Sequence, residues 1–169
     1  MNNDQHTAVV AVIGRPNAGK SSLINNMVGQ KISIISHKPQ TTRHRVHAIH
    51  TRDNYQFVFI DTPGINRKGQ SAFLRELNKT ARSVLSDVDV IILMLDGLDW
   101  DEREDIILSY FPQQDVPCLL LINKVDRYKS RDRVIKFIET VKDRYAFSEI
   151  IPVTVKRKKD IAYIEKVLI

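Results

Sequence analysis

The chain has little of what would set it apart from an ordinary globular protein, and each scarcity excludes something. A single cysteine, Cys118, rules out a disulfide framework or a cysteine-built metal cluster. Six glycines and six prolines in 169 residues leave no room for a collagen-like or Pro/Gly-rich disordered chain. Aromatic residues make up only 7%. The longest apolar stretches, Val88–Leu95 and Pro117–Ile122, are far too short to span a bilayer. Met1–Thr7 is polar and lacks the apolar stretch of a secretory leader. Cys118, set among Leu119, Leu120 and Leu121, reads as a buried thiol with no redox or metal role. These absences predict a cytoplasmic chain without a transmembrane segment, long enough for one hydrophobic core.

What the sequence does have is an excess of positive charge, 26 Lys and Arg against 20 Asp and Glu, for a net +6. The basic residues crowd into His37–Arg52 and into Lys156, Arg157, Lys158 and Lys159. Two readings fit: a solvated face, or contact with a polyanionic backbone, where each neutralised phosphate releases counterions.

Periodicity alternates along the chain. Val9–Ile13 is a short β-branched run and reads as a buried strand. Lys20–Met27 reads as a helix that Gly29 ends, and Ile32–His44, with Pro39 and no period, as a loop. Val46–Thr51 and Tyr55–Ile60 predict an antiparallel hairpin turning at Asp53-Asn54. Ser71–Leu85 reads as a helix. Val88–Leu95, Cys118–Ile122 and Ile150–Val153 are further buried strands, with helices near Asp101–Phe111 and Ser130–Tyr145 between them. Ile161, Ile164, Val167 and Leu168 share one face of a last helix. The pattern predicts an α/β fold of the P-loop NTPase kind. It has three layers: a mostly parallel six-stranded sheet with one antiparallel strand, and helices on both faces. Ligands on such sheets gather at the carboxyl ends of the strands.

Three motifs fall at those ends. Gly14-Arg15-Pro16-Asn17-Ala18-Gly19-Lys20-Ser21 fits G-x-x-x-x-G-K-[ST] between a strand and a helix. Its glycines allow a tight turn whose amides point at phosphates, and the helix adds its positive end. Lys20 is placed to reach the β- and γ-phosphates and the Ser21 hydroxyl to bind Mg2+, with Asn17, Ala18, Gly19 and Ser22 completing the cradle. Asp61-Thr62-Pro63-Gly64 follows the strand Phe57–Ile60. Asp61 suits Mg2+ held through water, and the Gly64 amide a γ-phosphate whose loss relaxes the following loop. The same four residues are also good turn chemistry. Asn123-Lys124-Val125-Asp126 ends the strand Cys118–Ile122. The Asp126 carboxylate matches the N1–H and 2-amino donors of guanine, which adenine does not offer. Asn123 braces that loop, and the Lys124 stem lies over the purine. Any one motif is weak, but the three in this order, each after its own strand, are specific.

Over nearly its whole length the sequence resembles the Era-type GTPases of the translation-factor class, most specifically at residues 14–64. The run from Gly29 through Gln40-Thr41-Thr42-Arg43-His44-Arg45 is similar to the first switch of that family. The resemblance implies that Thr42, or less fittingly Thr41, joins Mg2+ beside Ser21 and Asp61. It implies that Asn17 helps to hold a monovalent cation, K+, at the phosphates, the other reading of Asn17 being a residue that satisfies its own loop. Lys20, Thr42, Gly64 and Asn17 then form the catalytic set. Ile65 stands where Ras-like enzymes orient water with glutamine, so slow hydrolysis is expected. Arg43 and Arg45 are conceivable internal substitutes for an arginine finger, but phosphate or RNA contact and solvation suit them better.

The family's last guanine loop reads Ser-Ala; here Thr154, Val155 and Lys156 stand there, and the extra bulk of Val155 is expected to press on the base. Family members carry a C-terminal KH domain that grips small-subunit ribosomal RNA. No KH G-x-x-G loop occurs here, so residues 1–169 are read as one GTP-binding domain. The implied partners are GTP and GDP, small-subunit ribosomal RNA or the ribosome held weakly, and a peripheral membrane contact. The function implied is a slow GTPase switch in small-subunit assembly. The alternatives are a non-catalytic GTP-gated binding module, or a related GTPase acting in tRNA modification or large-subunit assembly.

Overall fold

The computed structural model describes residues 5–29, 46–60, 85–112 and 116–169. Six strands form one sheet: β1 (His6–Gly14), β2 (Val46–Arg52), β3 (Tyr55–Ile60), β4 (Val90–Asp96), β5 (Cys118–Asn123) and β6 (Glu149–Pro152), in the order β2-β3-β1-β4-β5-β6. Only β2 and β3 pair antiparallel; every other neighbouring pair is parallel. The described helices are α1 (Lys20–Val28), α2 (Glu102–Leu108), α3 (Arg131–Val141) and α4 (Lys158–Leu168).

Alternation along the central strands fills two cores. On one face Val10, Val12, Met94, Leu119 and Leu121 pack with Leu23 and Met27 of α1 and with Ile161 and Ile164 of α4. On the other, Ala11, Ile13, Leu93, Leu120 and Ile122 pack with Ile107 of α2 and Val141 of α3. Strands buried on both faces need apolar residues at every position, and this is why β4 and β5 read as unbroken apolar runs. Cys118 belongs to the second core, and burial pushes its thiol up to about 12.

Expected and observed boundaries differ where local hydrogen bonds intervene. The strand expected over Val88–Leu95 begins at Val90, because Asp89 is occupied in latching β1: its carboxylate accepts from the Val9 amide at 2.7 Å and its own amide donates to the Val9 carbonyl. α2 starts after Asp101, whose side chain accepts from the Arg103 amide, while Glu104 reaches back to the Asp101 amide, a reciprocal capping box. α3 stops at Val141 and leaves Tyr145 to pack edge-on against Phe111. The edge strand β2 is tied to α4 by Glu165, which pairs with His50 at 3.0 Å and with Arg52. The loop expected over Ile32–His44 and, apart from buried Leu85, the helix expected over Ser71–Leu85 lie outside the described residues. No described helix is long and apolar enough to cross a membrane.

Parallel pairing brings strand ends to one rim. Gly14 sits opposite Met94, Asp96 opposite Asn123, and Ile122 opposite Pro152.

Candidate functional site

Along this rim runs a crevice of about 450 Å³. One end is made by the turn from β1 into α1. Gly19 is the residue before the helix and holds φ 111, and Asn17 holds φ 66. Only a loop that visits left-handed space at these points can curl its amides inward around an anion. Asn17, Gly19, Ser21 and Ser22 line the crevice. Ala18 is fully buried behind it. Lys20 folds over its own loop, donating from Nζ to the carbonyls of Gly14 at 2.7 Å and Arg15 at 2.9 Å. An ammonium has three donors, so one remains for a phosphate oxygen. Burial pulls the Lys20 pKa below its ordinary value.

The other end is made by the loops after β5 and β6, where Asn123, Lys124, Asp126, Thr154, Val155 and Lys156 line the crevice. Asn123, 1% exposed, ties three segments together. Its amide donates to the Ala18 carbonyl at 2.7 Å, and its side-chain oxygen accepts from the Val155 amide at 3.1 Å. Asp126 is braced by Thr154: the threonine hydroxyl donates to Asp126 Oδ1 at 3.0 Å and accepts from the Asp126 amide at 3.3 Å. Lys124 takes φ 60, and its Nζ reaches back to the Asn17 carbonyl. It also pairs with Asp96 at 2.8 Å. The phosphate turn and the base loop are therefore joined twice, through Asn123 and through Lys124.

The loop after β6 is arranged differently from the expectation that bulk at Val155 meets the base. Val155 is 3% exposed and packs into the core with Leu23 and Ile161. The amides of Thr154 and Val155 are taken by Asp160 Oδ2, at 2.8 Å, and by Asn123. The Lys156 amide makes no hydrogen bond to a described residue, and so is the one backbone donor of Thr154–Lys156 left unused among the described residues.

Three participants were missed in the sequence. Arg127 lines the base end and pairs with Asp96 at 3.1 Å. Asp96 itself ends β4, and a carboxylate at a parallel strand's carboxyl end is the signal that could have flagged it. Arg15 occupies a variable position of the phosphate motif, yet it is buried, with its guanidinium 2.5 Å from Glu104 and 2.9 Å from Asp99. Thr41, Thr42, Arg43, Arg45, Asp61, Thr62, Pro63, Gly64 and Ile65 lie outside the described residues, so the metal and switch expectations resting on them have no geometry here.

A glycine-built anion cradle at a helix start, facing a carboxylate loop across one rim of a parallel sheet, defines the class as a P-loop nucleotide-binding domain. A family model for 50S ribosome-binding GTPases matches residues 9–124, and the chain belongs to that family. Within it, the chain is similar to GTPase Era of Histophilus somni, with 42% identity over 165 residues, 98% of this chain and 55% of the relative. Era of Vibrio cholerae is 39% identical over 163 residues, covering 96% of this chain and 50% of that protein. Among solved structures, Era in complex with MgGDPNP and a segment of 16S ribosomal RNA superposes with a TM-score of 0.70 at 31% identity, over 97% of this chain and 56% of that one. A point variant of Aquifex aeolicus Era bound to GDP and aluminium fluoride gives 0.70 at 30%, over 96% and 56%. The chain spans about half the length of the curated relatives it matches.

Proposed function

We propose that this chain is a GTP-binding domain that hydrolyses GTP slowly, and that the protein it represents acts in assembly of the small ribosomal subunit. The observation that carries the nucleotide reading is the double linkage of the phosphate turn to the Asp126 loop through Asn123 and Lys124. It sets a charged base reader and an anion cradle at the two ends of one crevice. The assembly role rests on similarity to Era, one solved example of which holds 16S ribosomal RNA.

Ser21 fits Mg2+. Ser21 stands in the first turn of α1 and lines the crevice, and its hydroxyl makes no hydrogen bond to a described residue. Asp61 and Thr42 would complete the ligand set, as the resemblance implies. Mg2+ bound there would neutralise charge on the β- and γ-phosphates. The chain's own part is electrostatic: Lys20 and the turn amides hold the phosphate oxygens in place while water attacks. Asn17 is the candidate for K+, and Ile65 is the reason to expect slow turnover.

The test is nucleotide titration followed by phosphate release with purified protein. GDP and GTP are expected to bind at least ~100-fold more tightly than ATP, because the exposed Asp126 carboxylate would be covered by adenine with no donor to pair it. Turnover is expected to be faster in potassium than in sodium. Equal affinity for ATP overturns the base reading. No turnover above background in either salt reduces the chain to a GTP-gated binding module.

A further inference from the structure

We infer that Asp96 is a positioning residue for guanine binding: it holds the Lys124 side chain across the crevice, so that the aliphatic stem forms one wall of the purine slot. The inference deepens the guanine-nucleotide reading above and rests on it.

Lys124 belongs to the base-reading motif, but its backbone leaves β5 in left-handed conformation, and nothing in its own loop fixes a flexible four-carbon side chain. Two contacts beyond that loop do. The ammonium donates to the Asn17 carbonyl of the phosphate turn and pairs with Asp96 Oδ1 at 2.8 Å. Because Asp96 lies directly opposite Asn123 in the parallel register, its carboxylate comes up beside the start of the Asn123–Asp126 loop. The next residue locks that placement, since the Gly97 amide donates to the Asn123 carbonyl at 3.0 Å. Arg127, from the far side of the same loop, pairs with the same Asp96 oxygen at 3.1 Å.

A carbonyl dipole alone holds an ammonium weakly against water, whereas a carboxylate adds a charge-assisted bond. With both, the stem is stretched from the base loop to the phosphate turn, over the span that a nucleotide bridges. Asp126 lies two residues further on and lines the same crevice. Asp96 therefore bears on how firmly any 6-oxopurine is gripped, and Asp126 on which purine is chosen.

The experiment is a double-substitution cycle on the full chain. GDP and IDP dissociation constants are measured for the wild type, Asp96→Asn, Lys124→Met and the pair, with thermal unfolding of each. IDP lacks the 2-amino group that Asp126 reads, so the two ligands separate grip from choice. Asp96→Asn is expected to weaken GDP and IDP by the same factor, about tenfold. In the Lys124→Met background the same change is expected to cost less than about twofold, because the group it positions is gone. Asp96→Ser is carried through the same cycle as a second removal of the charge.

An equal loss in both backgrounds overturns the inference, whether it arises from general damage to the fold or from a direct role of Asp96. Unchanged GDP affinity in Asp96→Asn overturns it also, as does a shift in the GDP-to-IDP ratio. If wild type binds GDP and the cycle is additive, this inference alone fails. If wild type binds no guanine nucleotide, the functional reading fails with it.

Discussion

The two ends of the crevice are built by different means. The base end is an assembly of side chains: Asn123, Asp126, Thr154, Lys124 and Asp96 come from the ends of three strands and the loops after them, and each is held by a hydrogen bond or ion pair from another segment. The phosphate end is mainly backbone, a turn with left-handed residues whose lysine is anchored to two carbonyls of its own loop. A triphosphate has nearly the same shape in every nucleotide, so fixed amides can serve it. A purine has to be told from its rivals by the placement of donors and acceptors, which only side chains can vary. The difference predicts that the phosphate end breaks when its backbone is obstructed, while the base end loosens one contact at a time.

The largest expected effect comes where the two ends touch. A Cβ at Gly19 would lie 2.3 Å from Asn123 Nδ2, at a φ of 111 that L side chains rarely adopt. Asn123 cannot step aside without releasing Ala18 and Val155 together. Gly19→Ala is expected to cost about 4 kcal/mol of stability through strain and overpacking. GDP binding is expected to be lost with it. Denaturant titration with and without GDP checks both. A stable Gly19→Ala protein that kept GDP affinity would show that the ends are not coupled through Asn123.

The next effect tests whether the phosphate end is backbone alone, because Arg15 is its exception. Its side chain turns away from the crevice into an acidic cluster in which Glu104 is 1% exposed. Burial pushes the Glu104 carboxyl above its ordinary value even with Arg15 beside it, while hydrogen bonding from Arg103 holds Asp101 well below the usual carboxylate range. Arg15→Gln leaves Glu104 buried without its cation, and a cost of about 3 kcal/mol is expected at neutral pH. The sign with pH follows from linkage. A carboxyl whose folded pKa is raised contributes stability below its unfolded pKa, and loses it as pH rises through the folded value. Without Arg15 the folded value moves further up. The deficit of Arg15→Gln is therefore expected to be greatest near pH 7.5 and to shrink toward pH 5. Urea titration at the two pH values decides; a deficit constant with pH would mean that Glu104 does not depend on Arg15.

The same contrast governs how much could be read without a structure. Sheet class, the single antiparallel pair and the phosphate turn were legible, because each is imposed by a short-range rule. Strands buried on both faces demand β-branched and aliphatic runs, a hairpin demands turn residues such as Asp53-Asn54, and a phosphate turn demands glycines at fixed spacing. Lys124 and Asp126 were legible as a motif, but not what holds them. Asp96 looks in sequence like any polar residue that ends a strand, and it acquires its role only through register with Asn123. Arg15 was illegible for a similar reason, since its partners lie more than eighty residues away in α2 and the turn before it. At the loop after β6, residue type misled: bulk at Val155 invited thought about the base, yet that side chain belongs to the core.

The smallest expected effect lies in that loop. Thr154 and valine have nearly the same volume, and Thr154 is 5% exposed, so Thr154→Val removes one hydroxyl without opening a cavity. The hydroxyl meets Asp126 twice, donating to its carboxylate and accepting from its amide. Its loss leaves the carboxylate free to rotate, while the backbone placement by Asp160 remains. GDP affinity is expected to fall about fivefold, roughly 1 kcal/mol, the usual worth of one hydrogen bond. Phosphate contacts are untouched, so pyrophosphate displacement of GDP should change only by that factor. A loss as large as that of Gly19→Ala would mean that the base end, too, stands or falls as a unit.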